Sequence, residues 1–276
     1  MGEEPVLSAP IGVFDSGIGG LSILQALRAE LPHEAFIYVA DSGHAPYGER
    51  DDAHVIERSR LLTRYLREAH RIKAMVMACN TAAAAAVQAL RAEHPGLPII
   101  GVEPALKPAV ALSRTRRIGV MATRSTLASA KFGDLLASLA GQAEFVCQPC
   151  DGLADAIERS VETQDATKII ALCDQYTRTM GTFGTEDGHL DTLVLGCTHY
   201  PFAAGHLRAL VGASVHCIDT GAPVARQTRR VLQAGHALAT TGAGQVRLCT
   251  TGKPETLQAA AEHWLQLQCP VVSLCL

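Results

Sequence analysis

Two cysteines stand in matching surroundings. VMACNT (76–81) and VLGCTH (194–199) each run from an apolar stretch through a small residue to a cysteine and two polar residues. A thiol in such a place can be a packed core residue, a metal ligand, a nucleophile or an acid–base group. Taken singly, Cys79 and Cys197 are most simply small buried hydrophobes. Taken together they are two thiols at the ends of apolar segments, each at or near the start of an expected helix. The free N–H groups and the dipole of a helix N-terminus lower a thiol's pKa. Asn80, Thr81 and Thr198 place amide and hydroxyl groups beside the thiols; they can cap a helix and also receive a carboxylate there. His199, two residues from Cys197, is placed to tune that thiol or carry its proton.

Further candidates follow other apolar runs. Asp15-Ser16-Gly17-Ile18-Gly19-Gly20 has the look of a phosphate loop, but it is not G-x-G-x-x-G, and no G-x-x-x-x-G-K-[ST] occurs. An aspartate at the mouth repels phosphate; it suits a substrate ammonium group or a proton-shuttling partner for a thiol. Its plainer role is a tight strand-to-helix turn that needs its glycines. Asp41-Ser42-Gly43 repeats the theme and leads into Ala45-Pro46-Tyr47-Gly48, where Tyr47 could line a polar cleft. Cys147-Gln148-Pro149-Cys150 is a C-x-x-C, but no second C-x-x-C completes a zinc site, and a redox role is the lesser reading.

These residues must be positioned by a fold, and the composition says which kind. The chain has 276 residues, 48% hydrophobic and 18% charged, so it can bury a substantial core and is not disordered. A net charge of −3 and 4% aromatics leave neither a basic footprint nor stacking platforms for nucleic acid. The start, MGEEPVLSAP, lacks the apolar core of a signal peptide, and Val6 stands where a myristoylation signal wants Ser or Thr. No apolar run approaches a membrane span, so a soluble cytoplasmic protein is expected. Nine cysteines, an odd number without an export signal, read as reduced thiols.

Candidate strands are 11–14, 35–40, 73–78, 97–102, 117–122, 143–147, 192–196, 214–219 and 245–250. Helical stretches lie between them. In 51–70, Val55, Leu62, Leu66 and Ala69 form one face and Asp51 or Asp52 suits the cap. This alternation predicts an α/β fold with mostly parallel sheets and helices on both sides, and ligands bind beyond the carboxyl ends of such strands. The chain also echoes itself. Ile11-Gly12-Val13 leads into Asp15-Ser16-Gly17 and Ile118-Gly119-Val120 into Ala122-Thr123-Arg124, each followed later by its cysteine motif. Two related, doubly wound α/β units are therefore expected.

IGVFDSGIGGLSIL, DSGHAPYGER, ACNTA, LGCTHYP and IDTGAPVARQ, in that order, resemble the bacterial glutamate racemases. The resemblance extends from about Ile11 to the TTGKPE segment. It implies a cofactor-independent racemase that interconverts L- and D-glutamate for peptidoglycan synthesis, in a cleft between two similar domains, with no metal. Carried over, Cys197 would deprotonate L-glutamate and Cys79 D-glutamate, with Asp15 assisting Cys79 and His199 assisting Cys197. Asp15, Ser16, Tyr47, Gly48, Asn80, Thr81, Thr123, Thr126, Thr198 and His199 would bind the amino acid. The helix N-termini after Asp15, Cys79 and Cys197 are expected to stabilise the carbanion. The resemblance further implies one domain of residues 1–103 with 219–276, a second of 104–218, hinge closure between them, and a homodimer.

Departures are as specific. Many relatives carry a glutamate after the mid-chain cysteine where this chain reads Cys150-Asp151-Gly152, so Asp151 stands as a shorter candidate for that place. Asp51 stands where relatives often have serine. Only ten residues precede the first strand, so activation by a cell-wall precursor is not expected. The alternatives are an aspartate racemase, which tends to an acidic residue at the position of His199, a noncatalytic gyrase-binding regulator, and a thiol-redox protein using Cys147 and Cys150.

Overall fold

A computed structural model describes residues 7–276; the segment Met1–Val6, and with it most of the leader and myristoylation readings, lies outside the described residues. The chain divides into two compact units. One runs to Val102 and resumes with Gly221–Leu276; the other is Glu103–Thr220.

The first unit opens with β1 (Ile11–Asp15), α1 (Leu21–Glu30), β2 (Phe36–Ala40), α2 (Asp52–His70), β3 (Ala74–Met77), α3 (Asn80–Glu93) and β4 (Ile99–Gly101). The second contains α4 (Leu106–Leu112), β5 (Arg117–Ala122), α5 (Arg124–Ala128), α6 (Ala130–Ala137), β6 (Glu144–Pro149), α7 (Leu153–Thr163), α8 (Thr167–Met180), β7 (Thr192–Leu195), α9 (Ala204–Val211) and β8 (His216–Ile218). The chain then completes the first unit with α10 (Gly221–Ala234), β9 (Val246–Thr250), α11 (Pro254–Leu265) and β10 (Val271–Ser273).

The first unit holds a six-stranded sheet in the order β10-β9-β2-β1-β3-β4, and the second a four-stranded sheet in the order β6-β5-β7-β8. Every strand pair in both is parallel. The order β2-β1-β3-β4 is that of β6-β5-β7-β8, which gives the sequence echo a structural basis. Such sheets form because β1, β2, β3 and β7 are wholly buried apolar runs, the pattern of strands covered by helices on both faces. In the first unit α1 packs with α10 and α11, and α2 packs with α3. Among the described residues no helix is long and apolar enough to cross a membrane.

The α/β expectation holds, and each of the nine expected strands is present. The tenth, β10, escaped the sequence because it is three residues long and lies largely exposed at a sheet edge. Asp51 caps α2, its carboxylate accepting from the His54 N–H at 2.8 Å. Val55, Leu62 and Leu66 face the core as expected, but the buried stripe stops at Leu66 and Ala69, in the last turn, is exposed. Ser59 and Thr63 lie on the same buried face. Their hydroxyls bond back to Val55 O and Ser59 O, so two polar residues occupy a buried face without unsatisfied groups.

Behind the amino ends of β1 and β3 lies a buried ion pair, Lys73 Nζ to Glu34 Oε2 at 2.6 Å, with both side chains almost wholly covered. Lys73 also donates to Leu7 O and Ala237 O, and Glu34 accepts from Ala239 N. The pair thus pins the segment after α10 to the start of the sheet. Removing one partner strands a buried charge, so Lys73→Met is expected to cost about 3–5 kcal/mol in denaturant unfolding. The double variant Lys73→Met/Glu34→Leu is expected to recover most of that loss; equal loss in both would show that the charge is not the cause.

Candidate active site

In each sheet the cysteine lies two residues past the strand beside the central one. After β3, Ala78 N donates to Phe14 O of β1 at 2.8 Å; after β7, Gly196 N donates to Met121 O of β5 at 2.7 Å. These bonds carry the parallel pairing one residue beyond the strand and deliver Cys79 and Cys197 to the carboxyl edge of their own sheet, where parallel sheets bind ligands.

In the first unit Cys79 is the N-cap of α3, its sulfur accepting the Ala82 N–H at 3.5 Å. Its thiol also donates to Ser16 Oγ at 3.5 Å, and Ser16 donates to Asp15 Oδ1 at 3.2 Å. Ser16 therefore bridges the thiol to the carboxylate that was expected to assist it. Asp15 is fully buried at the end of β1 and accepts Gly17 N as well. The turn that holds it needs a glycine at Gly20, where a Cβ would lie 2.6 Å from the Asp15 Cβ. Asn80, only 5% exposed, has neither amide atom partnered among the described residues. A buried amide with a free donor and a free acceptor is costly unless a ligand or water completes it. Thr81 is buried beside it. Tyr47 and Gly48 belong to a short 3₁₀ turn, Tyr47–Glu49, that packs against α3. The Tyr47 hydroxyl donates to Asp41 Oδ2 at 2.5 Å, and burial, then the Asp41 charge, raise its pKa far above the usual tyrosine value.

In the second unit Cys197 Sγ lies 3.7 Å from His199 Nδ1, and His199 Nε2 lies 2.8 Å from Glu158 Oε2. Burial by itself pushes the imidazole down, but its hydrogen bonds to Cys197 and Glu158 and their charges hold it well above the usual histidine value. Protonated, it donates from Nδ1 toward sulfur and from Nε2 to the carboxylate. Thr198 is buried next to the thiol. Thr123 caps α5 after β5 and donates from Oγ1 to Thr126 Oγ1 at 2.8 Å. The structure thus gathers Asp15, Ser16, Tyr47, Gly48, Cys79, Asn80 and Thr81 on one unit, and Thr123, Thr126, Cys197, Thr198 and His199 on the other.

One expectation changes, and one carboxylate is new. Only Cys79 directly caps an α-helix: α1 begins six residues after Asp15, and Cys197 leads into a turn and the 3₁₀ segment Tyr200–Ala203 before α9. Asp151, the shorter candidate for the relatives' glutamate, is exposed and paired with Arg124 at 2.5 Å. The carboxylate at His199 is Glu158, which the sequence reading missed. Asp151, Asp155 and Glu158 are all near α7, and only its packing against the Tyr200–Ala203 turn selects the one that reaches His199. Asp155 instead pairs with Arg159 and Lys168. Cys147 packs beside the core of Ile118, Val120, Phe132 and Leu135, whereas Cys150 turns its thiol to Gln148 O. Burial raises the pKa of both thiols, as for ordinary packed cysteines. Among the described residues no group of three or more His, Cys, Asp or Glu is arranged to hold a metal ion.

Comparison with known proteins matches residues 21–228 to the model of the Asp/Glu/Hydantoin racemases. The chain belongs to that racemase family. Among its relatives, the glutamate racemase of Ectopseudomonas mendocina is 48% identical over 251 residues, covering 91% of this chain and 92% of that one. Among solved structures, glutamate racemase isoform RacE1 from Bacillus anthracis superposes with a TM-score of 0.87 at 31% identity, covering 98% of this chain and 99% of that one. The glutamate racemase of Francisella tularensis, solved with D-glutamate, gives 0.82 at 26% identity and 98% of both chains.

Because the raised His199 pKa reflects a charge favoured in the folded state, it contributes stability that is full below the usual histidine value of about 6.5 and lost as pH rises through the folded value. Glu158→Gln is expected to lower the His199 pKa and flatten that loss. Unfolding free energies measured across pH 5–9, with histidine NMR titration, check this; an unmoved His199 titration would refute the Glu158 contact.

Proposed function

We propose that the chain is a cofactor-independent glutamate racemase that interconverts L- and D-glutamate with Cys79 and Cys197 as its two acid–base thiols. The observation that carries this reading is the matched placement of the two cysteines. Each follows the equivalent strand of an equivalent sheet and is tied to a carboxylate through one intermediary, Ser16 to Asp15 or His199 to Glu158. Family membership supports the reaction class. The glutamate racemases at 45–48% identity, and the Francisella neighbour with D-glutamate, support the substrate.

In the L to D direction the Cys197 thiolate takes the α-proton, and the C–H electron pair passes to the α-carbon and its carboxylate. The Cys79 S–H then gives its proton to the opposite face, leaving Cys79 as the thiolate; the D to L direction runs in reverse. One sulfur must be ionised while the other is protonated, so the pair titrates as a unit. Without a cofactor ring to take up the carbanion's charge, fixed donors must do so. The α3 N-terminus beside Cys79, the Asn80 amide and the hydroxyls of Thr81, Thr123, Thr126 and Thr198 are of the right kind. His199, hydrogen-bonded on both nitrogens, is placed between the Cys197 sulfur and the Glu158 carboxylate, where it can hand a proton to or take one from that sulfur. Asp15 accepts from Ser16, whose oxygen accepts the Cys79 S–H, so the pair holds Cys79 as the proton donor for this direction, and the Asp15 carboxylate suits a substrate ammonium.

The product fits D-glutamate supply for peptidoglycan, in the cytoplasm and by a homodimer, as the resemblance implies. The family model also spans aspartate and hydantoin racemases. The relatives reported above and the histidine at position 199 favour glutamate.

Incubation of the purified protein with L-glutamate in D₂O is expected to yield D-glutamate deuterated at the α-carbon. Cys79→Ala and Cys197→Ala are each expected to lower kcat by about 10²–10⁴-fold. Full activity in either variant would sink the two-thiol assignment.

A further inference from the structure

A second polar cluster in the first unit lies outside the acid–base groups. Asp41 follows β2 and is fully buried. Its Oδ2 accepts Tyr47 Oη at 2.5 Å and Arg58 Nε at 2.9 Å; its Oδ1 accepts Arg58 Nη2 at 2.8 Å and Thr251 Oγ1 at 2.7 Å, with His44 Nδ1 at 3.1 Å. A carboxylate has about four acceptor sites, so this one is saturated. Burial raises the Asp41 pKa, but the hydrogen bonds from Arg58, Tyr47 and Thr251 outweigh it and keep the group ionised.

Two consequences follow. The phenolic proton of Tyr47 is committed to Asp41, so Tyr47 serves the site with its ring and backbone rather than as a hydroxyl donor. The turn that carries Tyr47 and Gly48 is also clamped from two sides. Arg58 reaches it from the inner face of α2, and Thr251 from the turn after β9, where Thr251 Oγ1 also accepts Gly43 N at 3.1 Å. The fit on that side is close: a Cβ at Gly43 would lie 2.6 Å from Thr251 O.

We infer that Arg58 is a positioning residue for the substrate-binding turn, acting through Asp41 to fix Tyr47 and the backbone at Gly48. The inference rests on the glutamate racemase reading of the site. Arg58 does this with a planar fork, Nε and Nη2 on the two carboxylate oxygens, which lysine cannot reproduce. Without it a buried carboxylate keeps its hydroxyl donors but loses its guanidinium, and the Tyr47 anchor shifts. Because Arg58 holds the binding turn and not a thiol, its loss weakens binding of ground state and transition state alike.

The test is steady-state racemisation by the full chain in Arg58→Met, Arg58→Lys and Tyr47→Phe, with the folded fraction of each measured by thermal unfolding. Arg58→Met is expected to raise KM for glutamate about tenfold or more while kcat per folded molecule stays within about threefold. Arg58→Lys is expected to fall between wild type and Arg58→Met. Should Arg58→Met not fold, Tyr47→Phe, which removes only the hydroxyl bond to Asp41, is expected to raise KM in the same direction. Unchanged KM in Arg58→Lys and Tyr47→Phe, with loss confined to the folded fraction, would overturn the inference and leave Arg58 purely structural. A wild-type protein that does not racemise glutamate would overturn the reading of the site and the inference with it, a result distinct from an active enzyme whose variants keep their KM.

Discussion

The functional geometry depends on a hydrogen bond made one residue past a strand. In each sheet the small residue before the cysteine, Ala78 or Gly196, donates its N–H to the central strand. That bond carries parallel pairing past the end of the strand and fixes where the chain leaves the sheet. Gly196 shows how little room there is, since a Cβ there would lie 2.9 Å from Met121 O. The thiol that follows is placed by backbone pairing, the stiffest element available, and side-chain chemistry is added around it.

The two thiols receive different chemistry from equivalent positions. Cys79 caps α3 and meets a hydroxyl backed by a buried carboxylate. Cys197 precedes an irregular turn and meets an imidazole backed by a half-buried carboxylate. In the first, the sulfur accepts a backbone N–H from Ala82 and gives its proton to a hydroxyl. In the second, the sulfur faces an imidazole nitrogen. Two routes to one end are what duplicated units permit, because the scaffold preserves position while the flanking residues diverge. A racemase must work on two mirror-image substrates, and the asymmetry concerns how each sulfur is held more than where.

Much of the fold was legible because parallel strands covered on both faces read as short apolar runs, and because Asp51 caps α2 by a local bond that needs no tertiary partner. The failures share a cause. Ala69 lies on the periodic face of α2, but the buried stripe ends at Leu66, where the helix's last turn runs out past its neighbours. β10 gave too short a signal. Glu158 gave no signal as a partner of His199, because only the packing of α7 brings it there. Arg58 drew no attention because an arginine on an amphipathic helix is usually solvated, and only Asp41 makes this one an interior residue.

The sequence by itself determined the reactive groups and their order. Two cysteines after apolar runs, Asp15 and Ser16 after the first, and Thr198 and His199 beside the last are local facts, and local facts suffice to mark strand ends and name the family. Tertiary structure decided the partners. Ser16 lies between Asp15 and Cys79, Glu158 holds His199, and Asp41 ties Tyr47 to Arg58 and Thr251, in contacts spanning up to 210 residues of chain. A hydrogen bond depends on distance and direction, and neither is encoded by a residue's type. Both are set only when apolar packing has chosen which face of each helix turns inward.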